Sequence, residues 1–293
     1  MAKDMTSGKP LKLIWNFTIP LLIGNLFQQL YNMADTFIVG RTIGVQALAA
    51  VGSTGSIVFL IIGFATGLTA GLAIPLAQRF GAKDYKGVKH SFYVSILISI
   101  AVAIVLTALS MIFCRQILEI MQTPSEIIDG AYDYLIVIFG GIFSSMAYNL
   151  LSNIFRSIGD AKTPLYFLVM ACVMNIILDI VFIAVFGMGV EGAGYATVLS
   201  QIFSAVACVV YIWKKIPVLR LTKEDLVATK RNIREHCRIS FPMAFQASII
   251  AIGTIMVQIA LNQLGPTSVA AHTAAQKIDQ LAILPMMSFG VTM

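Results

Sequence analysis

The stretch VSILISIAVAIVLTALSMIF, residues 94–113, holds no charged residue, no glycine and no proline. A helix needs about 20 such residues to cross the hydrocarbon core of a bilayer. Working outward, similar apolar runs occur near 13–38, 46–78, 90–113, 128–155, 164–186, 194–213, 239–262 and 267–293, separated by short turns rich in Gly, Pro and charge. The composition agrees. Apolar residues make up 58% of the chain and charged residues 12%, with a mean hydropathy of +0.86. A soluble domain carries about a quarter of its residues charged, so much of this surface faces lipid. The expectation is an all-α, polytopic membrane protein.

Net charge is +6, but the basic residues sit between apolar runs instead of along an amphipathic face, which argues against a nucleic-acid partner. If the N-terminus is inside, one face collects Lys3, Lys9 and Lys12, then Arg79, Lys83, Lys86 and Lys89. Arg156, Lys162 and the basic connection 214–238 fall on the same face, while the opposite one holds only Arg41 and Arg115. Excess Lys and Arg mark cytoplasmic loops, so the N-terminus is expected in the cytoplasm of a multi-pass inner (plasma) membrane protein. The first apolar run is too long for a cleaved signal peptide and is expected to stay as a membrane helix. The long connection is expected to carry an amphipathic stretch.

Pro20 recurs as Pro242, and Ile43-Gly44, Ala49-Ala50 and Ile57 recur as Leu264-Gly265, Ala270-Ala271 and Ile278. Six helices separate the copies, so both enter the membrane from the same side, as a parallel repeat. The expected organisation is a six-helix N-terminal lobe over 1–215, a basic linker over 216–236, and the first two helices of a second lobe over 237–293. Those last two helices, short of partners, are expected to project beside the first lobe with an exposed polar or small-residue face.

Motifs of soluble enzymes are missing: there is no HExxH, GxSxG or Walker lysine, and the reading is that of a non-enzyme. Gly187-x-Gly189-x-x-Gly192 matches a dinucleotide fingerprint but joins two membrane helices, where that motif has no strand to follow. The cysteines Cys114, Cys172, Cys208 and Cys237 form no CxxC pair. Gly63, Gly67 and Gly71, four residues apart, give a small-xxx-small face for close helix packing in lipid.

Polar residues inside apolar helices carry the chemistry. Asn25, Gln28, Asn32 and Asp35 share one face of the first helix, and Asn175 and Asp179 one face of the fifth. An ionised carboxylate in lipid costs several kcal/mol, so both aspartates are expected to face a bundle interior or water, in the same outer layer. Two carboxylates sharing an apolar pocket repel, and a proton or Na⁺ relieves the repulsion. Asp35 also stands near enough to its helix end for headgroup solvation. Tyr134, Asn149 and Thr197 are further candidates, with Asn153 competing with Asn149. Pro20 removes a backbone hydrogen bond, as a static kink or as a hinge. Lys277, Asp279 and His272 line a central cavity or snorkel from a helix end.

These residues resemble the multidrug and toxic compound extrusion (MATE) family. The resemblance rests on Asp35-x-x-x-Val39-Gly40-x-x-Ile43-Gly44 with Leu48-Ala49-Ala50, Gln78-x-x-Gly81-Ala82, Arg156-Ser157-x-Gly159-Asp160 and Gly192-Ala193-Gly194-Tyr195-Ala196-Thr197. It implies twelve helices in two lobes and secondary active antiport: export of cationic amphipathic drugs in exchange for H⁺ or Na⁺. It also implies a monomer at full length, no cofactor beyond the coupling ion, and no metal beyond Na⁺ at Asp35 and Asp179. The cation or proton site it implies comprises Asp35, Asn175, Asp179 and Thr197, with Tyr134 and Asn149 nearby, and Pro20 is the helix-bending proline. The chain is shorter than the family pattern by about four helices, and is expected not to export drugs by itself. The alternatives are a flippase of the same superfamily, moving a lipid-linked polysaccharide, or a non-transporting truncated membrane protein.

Overall fold

The computed structural model describes residues 9–263 except 122 and 124, together with 279 and 282–292. Among these residues the chain is helical, without strands. The helices are α1 (Pro10–Thr42), α2 (Val45–Gly81), α3 (Tyr85–Ile120), α4 (Ile128–Gly140), α5 (Ile142–Ser157), α6 (Lys162–Asp179), α7 (Val190–Lys215), α8 (Lys230–Gln263) and α9 (Ala282–Thr292). Among the described residues five are long and apolar enough to cross a membrane, and the α4–α5 pair, bent by 48°, makes a sixth when the two are counted as one broken span. The first six apolar segments of the sequence therefore appear as six spans. Lipid-facing positions stay apolar, as at Ile112 and Val206, because in hydrocarbon an apolar side chain has no reason to hide.

The fourth apolar run was expected as one straight segment, and the structure breaks it at Gly141. A Cβ at Gly141 would collide with the side chain of Val198 on α7. Glycine at this position lets α4–α5 press directly onto α7 one residue beyond Thr197. Farther along, a six-residue π-helix, Ile180–Val185, follows α6 directly after Asp179. Such wide turns are rare and recur at functional sites. Gly187 and Gly189 connect this turn to α7, and Gly192 lies in its first turn. No strand precedes them, so the dinucleotide reading fails.

The Arg156-Ser157-x-Gly159-Asp160 motif has a structural task. Asp160 Oδ1 accepts from the backbone N–H groups of Lys162 (3.1 Å) and Thr163 (3.0 Å), and Oδ2 accepts from the Thr163 hydroxyl at 2.6 Å. The first turn of α6 has donors with no partner inside the helix, and Asp160 satisfies two of them.

The linker differs from its expected bounds. Helix α8 starts at Lys230, so the connection covers 216–229 and is built on two short 3-10 turns, Pro217–Leu219 and Lys223–Asp225. Residues 230–236 belong to the helix, and no amphipathic helix forms between α7 and α8. Nor does α8 project from the first lobe. A Cβ at Gly67 would lie 2.6 Å from the Met243 carbonyl, and one at Gly71 would lie 2.5 Å from Ser240 Cα. The small-residue face of α2 is thus filled by the backbone of α8. Phe64 and Phe245 meet edge to face at 5.6 Å, and Arg79 reaches Glu235 at 2.9 Å. Gly63 faces open space and takes no part. What α8 leaves exposed is mixed: apolar at Ile249, Ile250 and Met256, and polar or small at Gln246, Gly253 and Thr254. Helix α9 lies along α1: Thr18 pairs with Thr292 at 2.9 Å, Asn25 donates to Ser288 at 3.0 Å, and Trp15 meets Phe289. Pro20 and Pro242 both lie inside helices. The other repeat partners, Leu264, Gly265, Ala270, Ala271 and Ile278, with Lys3, His272 and Lys277, fall outside the described residues.

The linker is pinned to α3 by Asp225. Its carboxylate accepts from the Thr222 hydroxyl (2.7 Å) and amide (2.9 Å) and from Lys89 (3.1 Å). These bonds, those from Thr222 foremost, hold the Asp225 carboxyl down at about 2. A carboxyl lowered on folding contributes stability above its unfolded value of about 3.9, and that contribution disappears as pH falls through about 2.

Two outcomes follow for the purified protein. Gly71→Ala should lower the thermal midpoint, since overpacking costs about 1–3 kcal/mol, while Gly63→Ala should leave it unchanged; equal effects would place the close contact elsewhere. Asp225→Asn should remove a component of the stability that wild type loses on acidification between about pH 4 and pH 2. Superimposable pH–stability curves for the two proteins would contradict the Asp225 bonding described here.

Candidate functional site

Four helices place polar side chains in one pocket: α1, α4, α6 and α7. Asp179 ends α6 and Asn175 lies one turn before it, and both are fully buried. The Asn175 amide is oriented by its neighbours. With Nδ2 toward α6 it donates to Asp179 Oδ2 at 3.1 Å, and its oxygen accepts from the Thr197 backbone N–H at 3.2 Å. The reverse orientation offers only a long bond of 3.4 Å to the Thr197 hydroxyl. The first satisfies both ends of the amide and is the one the network supports. Thr197 Oγ1 in turn accepts from Tyr31 of α1 at 3.1 Å. The chain Tyr31–Thr197–Asn175–Asp179 therefore ties α1, α7 and α6 together.

Asp35 enters from α1, one turn beyond Tyr31. It lies within electrostatic reach of Asp179, and the buried Tyr134 of α4 lies within reach of both carboxylates. Asp35 Oδ1 and Asp179 Oδ1 are buried and have no hydrogen-bond partner among the described residues. No described ion pair involves either aspartate. Two acceptor-only oxygens without donors are costly unless a proton or cation lies between them. The donor set is all oxygen, from carboxylates, an amide, a hydroxyl and phenols. Such hard ligands suit H⁺ or Na⁺ and would hold a soft metal poorly. Among the described residues there is no cluster of His, Cys, Asp and Glu fit for a metal.

The structure thus gathers Asp35, Asn175, Asp179, Thr197 and Tyr134. Asn149 donates to Ser145 O of its own helix at 2.8 Å. Asn153 goes the other way, accepting from Arg156 and donating toward Thr69. The polar face of α1 also divides. Asn25 is taken by α9, Gln28 and Asn32 are exposed, and Asp35 joins the pocket. Tyr31 was not singled out from the sequence. Its spacing of four residues from Asp35 puts the two on one helix face and was the available signal. Pro20 is buried in the other half of α1. Asp279 is exposed.

Among the described residues, a helical lobe whose spans are long and apolar enough to cross a membrane encloses a buried acidic pocket. The family model MatE matches residues 20–181, and the chain belongs to that family. It is 30% identical to the probable multidrug resistance protein YpnP of Bacillus subtilis over 295 residues, covering 99% of this chain and 64% of the relative. With the probable multidrug resistance protein NorM of Thermotoga maritima it shares 27% identity, over 94% of this chain and 59% of the relative. A solved MOP superfamily transporter from Pyrococcus furiosus superposes with a TM-score of 0.90 at 28% identity, over 97% of this chain and 63% of that one. The chain thus spans less than two thirds of the length of these relatives.

Tyr31→Phe and Thr197→Val remove the same bond. Each should destabilise the protein by about 1 kcal/mol, and the double variant should cost clearly less than the sum. Additive losses in thermal or denaturant unfolding would separate the two residues.

Proposed function

We propose that this chain forms the cation-coupling lobe of a secondary active antiporter, which exports cationic amphipathic compounds in exchange for H⁺ or Na⁺ across the plasma (inner) membrane. The observation that carries this reading is the pair of unpartnered buried oxygens on Asp35 and Asp179. An entering proton or Na⁺ neutralises the pocket, drawing α1 toward α6 and α7 through Asp35 and Tyr31. When the cation leaves, repulsion between the carboxylates opposes that approach. Coupling then means that α1 has two positions and the cation favours one of them. Pro20 leaves the Asn16 carbonyl without its backbone donor, making that turn of α1 the natural place to bend. Related MATE structures, at 28% identity and a TM-score of 0.89, have been solved in conformations described as bent and straight, which supports two states here too.

The orientation follows from charge. Lys9, Arg79, Lys89, Arg156 and Lys214 lie at the helix ends that meet the 216–229 linker, and this end is assigned to the cytoplasm. The flippase reading finds less support, since the first six apolar runs contain no Arg or Lys to bind a pyrophosphate in mid-membrane. The cargo is taken to be cationic because the pocket is acidic and several relatives are named multidrug resistance proteins.

Proteoliposomes holding this chain as part of a complete two-lobe transporter, with a proton or a Na⁺ gradient imposed separately, test the proposal. One gradient should drive uptake of a cationic dye, and Asp35→Asn or Asp179→Asn should reduce the driven flux at least tenfold while the protein still folds. Undiminished flux in both variants would remove the site from the mechanism. Pro20→Ala should slow transport more than it lowers stability; normal transport would leave the proline a purely structural role.

A further inference from the structure

Away from the aspartates, at the opposite end of the lobe, a cavity of about 880 Å³ opens between α2, α5, α8 and α9. Its chemistry is two-sided. Asn153, Arg156 and Ser157 of α5 and Lys83 at the α2–α3 turn give it a polar, cationic part. Ala70, Ile74, Phe17 and Met243 give it an apolar wall. Along α2 the lining runs from Gly81 to Ala70, about 16 Å of helix. Among the described residues no Asp or Glu lines it.

Arg156 is the unusual member. Guanidinium is charged at any ordinary pH and carries five donors. Here Nη1 donates to Asn153 Oδ1 at 3.1 Å, while Nε is buried without a partner, and no described ion pair neutralises the group. Asn153 is itself held toward Thr69, which fixes its oxygen on Arg156. A partly buried, uncompensated guanidinium is costly, and an oxyanion supplying two acceptors is the usual complement to its planar fork. Lys83 adds a second positive charge on the same cavity.

We propose that this cavity binds an anionic phospholipid, with its phosphate on Arg156 and Lys83 and an acyl chain along the apolar wall of α2. A free phosphate would use the cations and leave some 16 Å of apolar lining in contact with water, so the lipid is the better match. The lipid would lie where α2, α8 and α9 meet, bridging the six-helix lobe and the helices that follow it. The inference concerns a bound structural lipid and does not depend on the transport reading.

Native mass spectrometry of the purified full chain, with added phosphatidylglycerol or phosphatidylcholine, reads this directly. Wild type should retain phosphatidylglycerol in preference to phosphatidylcholine. Arg156→Gln should weaken retention about tenfold, the size expected from losing charged hydrogen bonds, and Arg156→Lys should weaken it less. Thermal melting of each variant checks the fold. Should Arg156→Gln fail to fold, Lys83→Gln serves instead, because Lys83 is exposed and a two- to threefold loss is expected there. Equal retention of phosphatidylglycerol by wild type and the folded variants would overturn the proposal. So would displacement of the lipid by inorganic phosphate at millimolar concentration, which would show a site for a free anion.

Discussion

A carboxylate carried into a membrane must be compensated, and this lobe carries two into one pocket. Taken from water alone, each would cost several kcal/mol. Asp179 is compensated in part by Asn175, and Asn175 is held by Thr197, which is held by Tyr31. The arrangement therefore demands that α6, α7 and α1 stay in register to within a hydrogen bond. Much of the surrounding architecture meets that demand. Asp160 fixes where α6 begins, the wide turn after Asp179 shapes where it ends, and Gly141 lets α4 press Tyr134 toward α7. What remains unpaired is one oxygen on each aspartate, and the proposed cation site rests on those two oxygens.

The other end of the molecule is organised by closeness instead of charge. Helices in lipid gain little from hiding apolar surface from one another, so association depends on backbone approach and specific polar bonds. Gly67 and Gly71 provide the approach of α2 to α8, and Arg79 bonds Glu235, Ser91 and the Gly87 carbonyl at the rim. The Arg79–Glu235 pair is partly exposed and adds at most about 1 kcal/mol, so packing of the two backbones is the main tie. The lobe is thus joined firmly to α8 along α2, with the acidic pocket at the other end.

Much of this was legible in the sequence. Long runs such as 94–113 leave no alternative to a membrane helix, and a charged or amide side chain within such a run has to be accounted for, which is how Asp35, Asn175 and Asp179 stand out. Four features were less legible. Tyr31 reads as an interfacial aromatic, since its hydroxyl becomes informative only when Thr197 of a distant helix arrives. Gly141 is one glycine of a pair in an apolar run, and only the side chain of Val198 shows why a larger residue would not fit there. The π-turn at 180–185 has an ordinary apolar sequence, so its width comes from tertiary packing. The start of α8 was hidden because its first turns are polar and basic, resembling a loop, while in the structure they extend the helix beyond the apolar run. The glycine face of α2 was visible, but its partner was not, because spacing along one helix says nothing about which other helix fills it.

The central claim is that Asp35 and Asp179 share one exchangeable cation. Infrared difference spectroscopy of the purified protein, on acidification and on addition of Na⁺, observes those carboxyl groups directly. If the site is shared, wild type shows a carboxyl signal in response to at least one cation, and either Asp35→Asn or Asp179→Asn alone removes most of it. Two variants that each remove an independent, additive part of the signal, or that leave it intact, would contradict the account.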